Sequence, residues 1–380
     1  MMVKHRKLSV ALLLASFFCA AAAFACTNLV LKGAPYASAI ASARTVDFNI
    51  PINPKLLQVP RGLAWQSRGD DTDPRGGITW TNRYGFIALG ASNEQNLYLD
   101  GINEAGLGAA ILWLDETKYM PRQGVNDLSS FDLVSFIVGQ YSTAQEARAA
   151  LKALNVYGTF LSEYNMVIPL HLVVMDARGD SFVAEWIDGQ LHIHDKSNTK
   201  GYIDVLANSP PYLGQLANLA TYDDLSCVNT NDRYSLTGLP GNSASTSRFV
   251  RVAKLKQCAE RVAGTGDYLI ESEDEALERI SQIIGRLDKV EGETVTEFAY
   301  GETLSFTRIL VIRIHGKPDE NGRSTSKFYF RTPDNQALRV IDLAKINFGD
   351  SGRSRKKEIK KYYVESPFYK KAQDAILIGY

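Results

Sequence analysis

Two strand-like runs near the start of the chain, Thr27 to Leu31 and Ala37 to Arg44, are separated by Gly33-Ala34-Pro35, so the spacing predicts an antiparallel hairpin. Whatever heads the first run is then carried back beside the end of the second. The head is Cys26, and the return brings Arg44 and Asp47 next to it. The residues ahead of Cys26 sharpen the point. Lys4, Arg6 and Lys7 form a positive segment, Leu8 to Phe18 a mostly apolar one, and small residues lead to Ala23-Phe24-Ala25. Residues 1–25 therefore read as a secretory signal, too short and too rich in alanine to span a membrane. A cut after Ala25 makes a thiol the first residue of a periplasmic or secreted protein. The alternative processing is that of a lipoprotein acylated at Cys26, although Ala23 stands where such signals usually carry leucine.

Charge and cysteine count narrow the field further. The chain has 42 Lys+Arg against 42 Asp+Glu, and loss of residues 1–25 removes three cations and no acid, so the mature protein is near neutral. Net charge gives no support to a nucleic-acid partner. Of four cysteines, Cys19 leaves with the signal, and the odd number that remains leaves one thiol over. In an oxidising compartment, a Cys227–Cys258 disulfide leaves Cys26 free; two unlinked thiols are the other arrangement.

Along the chain, strand patterns interleave with a few helices. Thr79 to Thr81, Gly85 to Gly90, Leu107 to Leu114, a hairpin series over His171–Met175, Ser181–Ile187 and Gln190–His194, and three late runs from Thr303, Ser326 and Leu338 read as strands, while Gly101 to Gly106 reads as turn. Ser142 with Gln145 and Ser272 with Glu275 resemble capping boxes. After the second, Ala276, Leu277, Ile280, Ile283, Ile284 and Leu287 recur at helical spacing, and a third helix is expected from about Ser247 to Val262. No repeat or long linker appears, which predicts one α+β domain over residues 26–350. A basic tail, residues 351–380, follows as a solvated arm or a subunit contact.

A thiol at a chain terminus has its own α-amine within reach. That amine ordinarily titrates at ~7.7–8.0, close enough to neutrality to act as a general base, so one residue can supply both nucleophile and base. Arg44 is a candidate cation beside it, and Asp47 a candidate acceptor that orients amine or thiol. A Cys–His pair is the rival arrangement. The candidates His171, His192, His194 and His315 lie in no Gly- or Asn-rich motif and read as surface or hairpin histidines. His192 and His194 have no third ligand at suggestive spacing, so no metal is expected, and no nucleotide or flavin signature implies a cofactor.

Several motifs occur in order: Cys26-Thr27, Ala43-Arg44-x-x-Asp47, Asp100-Gly101-x-Asn103-Glu104-x-Gly106-Leu107, Ala207-Asn208-Ser209-Pro210, and Leu239-Pro240-Gly241 followed by Ser247-Arg248-Phe249-Val250-Arg251. Together with Ile341 to Phe348, this set resembles the choloylglycine hydrolase family of N-terminal nucleophile hydrolases, which includes conjugated bile acid hydrolases and penicillin V acylases. The resemblance implies a four-layer αββα sandwich, commonly in homotetramers, and catalysis by Cys26 with Arg44, Asp47, Asn208 and Arg248. Asn208 would donate its amide to the oxyanion, together with the backbone N–H of Trp113.

Two departures refine that expectation. Trp113 stands where bile acid hydrolases carry an asparagine, so Trp113 and Phe48 would present aromatic surface to an acyl group. Asn208 and Arg248 are also closer in sequence than in Gram-positive members. Both features, with the export signal, resemble the Gram-negative periplasmic branch, whose members act on small N-acyl amides such as penicillin V and N-acyl homoserine lactones and generally not on conjugated bile salts. A bile salt hydrolase and a non-catalytic exported lipoprotein or binding protein are the competing expectations.

Overall fold

The computed structural model describes residues 26–34, 40–48, 55–91, 97–124, 126–162, 165–261, 265–298, 301–349 and 357–358. The expected signal segment 1–25 and nearly all of the tail 351–380 lie outside them. Fifteen strands build two sheets. In chain order they are β1 Thr27–Lys32, β2 Ile40–Phe48, β3 Lys55–Val59, β4 Phe86–Gly90, β5 Tyr98–Asn103, β6 Gly108–Trp113, β7 Leu170–Met175, β8 Ser181–Ile187, β9 Gln190–Asp195, β10 Val205–Leu206, β11 Thr294–Phe298, β12 Gly301–Ile314, β13 Lys327–Thr332, β14 Asn335–Asp342 and β15 Lys357–Glu358. The first sheet runs β10-β1-β2-β12-β13-β14, with β11 paired to β12; the second runs β9-β8-β7-β6-β5-β4-β3-β15. Every pairing within them is antiparallel.

Helices cover the outer face of each sheet. Helices α4 Ser245–Glu260 and α5 Glu273–Gly285 lie on the first, against β1, β2 and β12; α1 Leu133–Gln140 and α2 Ala144–Lys152 lie on the second, against β5 to β8, while α3 Tyr212–Ala220 packs on α4. The result is the four-layer αββα sandwich. Strands covered on both faces have no polar side, which is why β6, Gly-Ala-Ala-Ile-Leu-Trp, is buried at every position. No described helix is long and apolar enough to cross a membrane.

Local sequence accounts for the helices unevenly. Ser272 caps α5 by accepting the N–H of Glu275, and three acidic residues occupy the first turn, where the helix dipole favours them. The cap of α2 falls one residue later than Ser142-Gln145 suggests: Thr143 and Glu146 form the reciprocal capping box, and the Ser142 hydroxyl donates to the same carboxylate. Among the elements that differ from the sequence reading are α1 and β5. Helix α1 is buried on nearly all sides and so shows no amphipathic period. Residues 101–103, read as turn, complete β5, and the turn is confined to residues 104–106. There Gly106 has φ +86°, and a Cβ on it would lie 2.5 Å from the Gly316 carbonyl oxygen, so the two sheets approach through a position only glycine fits.

Candidate active site

Strand β1 pairs with β2 so that Thr27 faces Thr45 and Asn28 faces Arg44. Cys26, one residue earlier, falls level with Val46. It is buried, 2% exposed, and is the free cysteine among the described residues. Alternation along β2 then sends Arg44 and Asp47 to opposite faces. Arg44 turns toward the second sheet, where its Nη1 donates to the Leu99 carbonyl at 2.6 Å and the Ile111 carbonyl at 2.9 Å. These carbonyls lie one step past the last β5–β6 pair, Asp100 with Ala110, so the guanidinium plugs the point at which those strands part. Asp100 Oδ2 is 4.0 Å away, and the Asp100 Oδ1 sits 3.1 Å from Arg313, which donates to Asn28 Oδ1 at 2.9 Å.

Asp47 faces the helical layer. The Thr307 hydroxyl donates to its Oδ1 at 2.7 Å and the Thr45 hydroxyl to its Oδ2 at 3.3 Å. Burial pushes this carboxyl up to about 6, against the opposing pull of Arg248, Thr307, Lys289 and Thr45. Arg248, in the first turn of α4, ties the cluster together. Its Nη1 donates to the Cys26 carbonyl at 2.7 Å and to the Thr27 hydroxyl, its Nη2 to Asn208 Oδ1 at 3.0 Å, and its Nε to the Ser243 carbonyl at 3.0 Å. Desolvation lowers its affinity for its proton, and the charges of Asp47 and Cys26 act the other way.

With its oxygen held by Arg248, the Asn208 amide has a fixed orientation. One N–H donates to the Trp113 carbonyl at 2.9 Å, and the amide carries a second. Leu114 N–H bonds to the Pro169 carbonyl at 3.1 Å on the β7 side, so alternation points the Trp113 N–H to the opposite edge, where β5 has diverged. Support comes from behind. Gln215 on α3 donates to the carbonyls of Asn208 at 2.6 Å and Pro210 at 2.8 Å and accepts the Ala207 N–H at 3.0 Å. The Ser209–Pro210 peptide is cis. Asp115 takes the Ser209 hydroxyl at 3.0 Å and the Trp113 indole N–H at 2.5 Å.

At the head of α3, both carboxylate oxygens of Glu185 lie 3.0 Å from the Tyr212 nitrogen and accept its N–H. Burial opposes ionisation of Glu185, but His171 at 3.0 Å and His194 at 3.6 Å, with the Tyr212 N–H, hold it at about 2. The surface reading holds for His192, exposed on the hairpin strand β9, and is corrected for His171, His194 and His315, which are buried: β8 carries a carboxylate inward beside the first two, and Ser42 Oγ lies 2.7 Å from the His315 ring. No group of three metal-ligating side chains is found among the described residues.

Of the residues singled out from sequence, Cys26, Asp47, Asn208 and Arg248 gather in one buried cluster with the Trp113 backbone at its edge. Arg44 is placed across the sheet. The Phe48 side chain lies outside the described part. Cys227 and Cys258 form a disulfide, with Cα atoms 5.6 Å apart, tying the loop after α3 to α4. Sequence reasoning missed Thr307, Gln215, Glu185 and the buried Lys289. Lys289 follows Gly285-Arg286-Leu287-Asp288 in a polar stretch, and nothing in that pattern signals burial.

Comparison with known proteins converges on one group. Residues 26–355 match the family described as linear amide C-N hydrolases, choloylglycine hydrolase family. The chain is similar to the bile salt hydrolase/transferase of Clostridium perfringens, 24% identical over 84% of this chain and 91% of that protein. Similarity to the penicillin V acylase of Pectobacterium atrosepticum is 25% identity over 89% and 86%. In fold it resembles the penicillin V acylase of Agrobacterium tumefaciens, with TM-score 0.68 and 23% identity over 87% of this chain and 90% of that one. A mutant of the conjugated bile acid hydrolase of Clostridium perfringens superposes with TM-score 0.69, at 22% identity over 88% and 96%.

Proposed function

We propose, from the premise that this chain belongs to the choloylglycine hydrolase family of linear amide C-N hydrolases, that it cleaves N-acyl amides through Cys26 as N-terminal nucleophile after removal of residues 1–25 on export. The observation that carries the reading is the buried guanidinium of Arg248, which joins the Cys26 carbonyl to the Asn208 amide and so fixes nucleophile and oxyanion donor relative to each other. In the proposed reaction the α-amine of Cys26 takes the thiol proton and the sulfur attacks the amide carbon. The resulting oxyanion is held by the second N–H of Asn208 and the Trp113 N–H. As the C–N bond breaks, the ammonium returns the proton to the leaving nitrogen, and the acyl group stays as a thioester. Water then gives a proton to the amine and attacks the thioester; the C–S bond breaks, the acid departs and the thiol is restored.

The indole of Trp113, anchored on Asp115 beside the Asn208 amide, favours acyl groups with an aromatic or extended apolar body. Penicillin V and N-acyl homoserine lactones fit that description. The test is a panel of penicillin V, acyl homoserine lactones of several chain lengths, and glycine- and taurine-conjugated bile salts, with mass spectrometry of the mature N-terminus. Cleavage of the first two by protein beginning at an unblocked Cys26 is expected. Turnover of bile salts alone would overturn the substrate reading, and a diacylglyceryl adduct on Cys26 the catalytic one.

A further inference from the structure

Lys289 is a lysine with no evident reason to be inside. It is 6% exposed, and its ammonium has a Ser305 hydroxyl 3.4 Å away. Its backbone is built into the reaction site: Lys289 N–H donates to the Thr307 hydroxyl at 2.9 Å, and that hydroxyl donates to Asp47 Oδ1 at 2.7 Å. Ser305 stands two residues before Thr307 on the same face of β12, and Thr307 pairs with Asp47, so the ammonium lies on the Asp47 side of the sheet. Desolvation weakens its hold on its proton, as does Arg248 from α4, while Asp47 from β2, Glu293 from its own loop and Cys26 from the head of β1 act the other way. Glu293 is engaged by the Ser243 hydroxyl and the Val290 N–H. The cluster thus holds two cationic side chains, Arg248 and Lys289, both with their proton affinity lowered by desolvation, around the fully buried Asp47, before any charge on the Cys26 amine is counted.

We infer that Lys289 is a further positioning residue of the reaction, whose buried ammonium keeps Asp47 ionised and the terminal amine of Cys26 unprotonated. This rests on the reading of Cys26 as both nucleophile and base. A base must be neutral to accept the thiol proton, and a neighbouring cation disfavours a second positive charge. The same cation favours the carboxylate that orients the amine. Both effects extend activity to lower pH, which matters because burial pushes Asp47 up to about 6 even with Lys289 and Arg248 drawing it down.

The experiment measures kcat/KM against pH for mature wild type, Lys289→Met, Lys289→Gln and Lys289→Arg, on the amide of the panel that wild type cleaves fastest. Thermal unfolding and the mass of the acyl-enzyme are followed alongside. Loss of the charge in either neutral variant is expected to move the acid limb up by about half to one pH unit, with the high-pH plateau kept within a few-fold, and Lys289→Arg is expected to return it. An unmoved acid limb in a folded neutral variant overturns the inference, as does an arginine variant that behaves like the neutral ones. If wild type carries its acyl group elsewhere than Cys26, the nucleophile reading fails with it; an adduct on Cys26 with an unmoved limb sinks Lys289 alone.

Discussion

Asn208 is held by its oxygen and by one of its two N–H groups, so its second N–H is aimed without any rearrangement at the moment of reaction. Asn208→Ala is therefore expected to lower kcat by about 10²–10³-fold with KM changed far less, and to lower the unfolding midpoint modestly while leaving the chain folded, because Arg248 and the Trp113 carbonyl each lose a buried partner. Asp47 makes a different prediction, because its folded-state value lies above the ordinary carboxyl value of 3.8, at about 6. A raised carboxyl binds its proton more tightly in the folded chain, so its cost to stability is present above pH ~6 and is relieved as pH falls toward ~4. Asp47→Asn should thus be nearly inactive yet no less stable near neutrality, with a flatter stability profile between pH 4 and 6 in urea titrations. Cys26 and Asp47 are legible in the chain because they stand at the outer ends of two strands expected to pair, although the pairing of Lys32 with Ile40 is wider than the Gly33-Ala34-Pro35 turn suggests. Arg44 shows the limit of that reasoning: proximity in the hairpin is fixed by sequence, but the face is fixed by alternation, and one residue of offset sends the guanidinium to the other sheet.

At the scale of elements, α3 is what holds Asn208 in place. Its head is satisfied by Glu185 and its first turns send Gln215 back to the Asn208 carbonyl. Glu185→Gln should cost about 2 kcal/mol at pH 7 by weakening a charged, buried acceptor, and should depress kcat through the loosened Asn208 loop. Since Glu185 is held at about 2 against an ordinary 4.5, that stabilisation is complete above pH ~4.5 and lost as pH falls toward 2; the difference between variant and wild type in denaturant midpoints should fade over the same window. Helix α3 itself escaped sequence reading because Ser209-Pro210-Pro211 signals a turn, whereas Pro211 here is the residue from which the helix starts. Helix α5 was legible since its apolar stripe faces a sheet and its other side meets water; α1, enclosed all round, offers no such contrast.

Across the whole molecule, the strand succession could be read from pattern, but the pairing of β2 with β12, far along the chain, and the stacking of the two sheets follow from long-range packing that periodicity does not encode. Cys227 and Cys258, 31 residues apart, close one long loop against α4. In the chain-entropy account this loop closure stabilises by about 3–4 kcal/mol, so Cys227→Ser is expected to lower the unfolding midpoint by several degrees while leaving kcat largely intact, since Arg248 enters α4 well before the tether. Strand β1 lies inside the first sheet, laddered to β10 on one side and β2 on the other. Most proteins let their ends fray at no cost, whereas in the mature form proposed above the end at Cys26 is clamped like a keystone, and loosening it means prising apart the middle of a sheet. An affinity handle kept ahead of Cys26 in that mature form would burden a strand held on both sides and block the proposed amine, which makes the C-terminus the place for any tag.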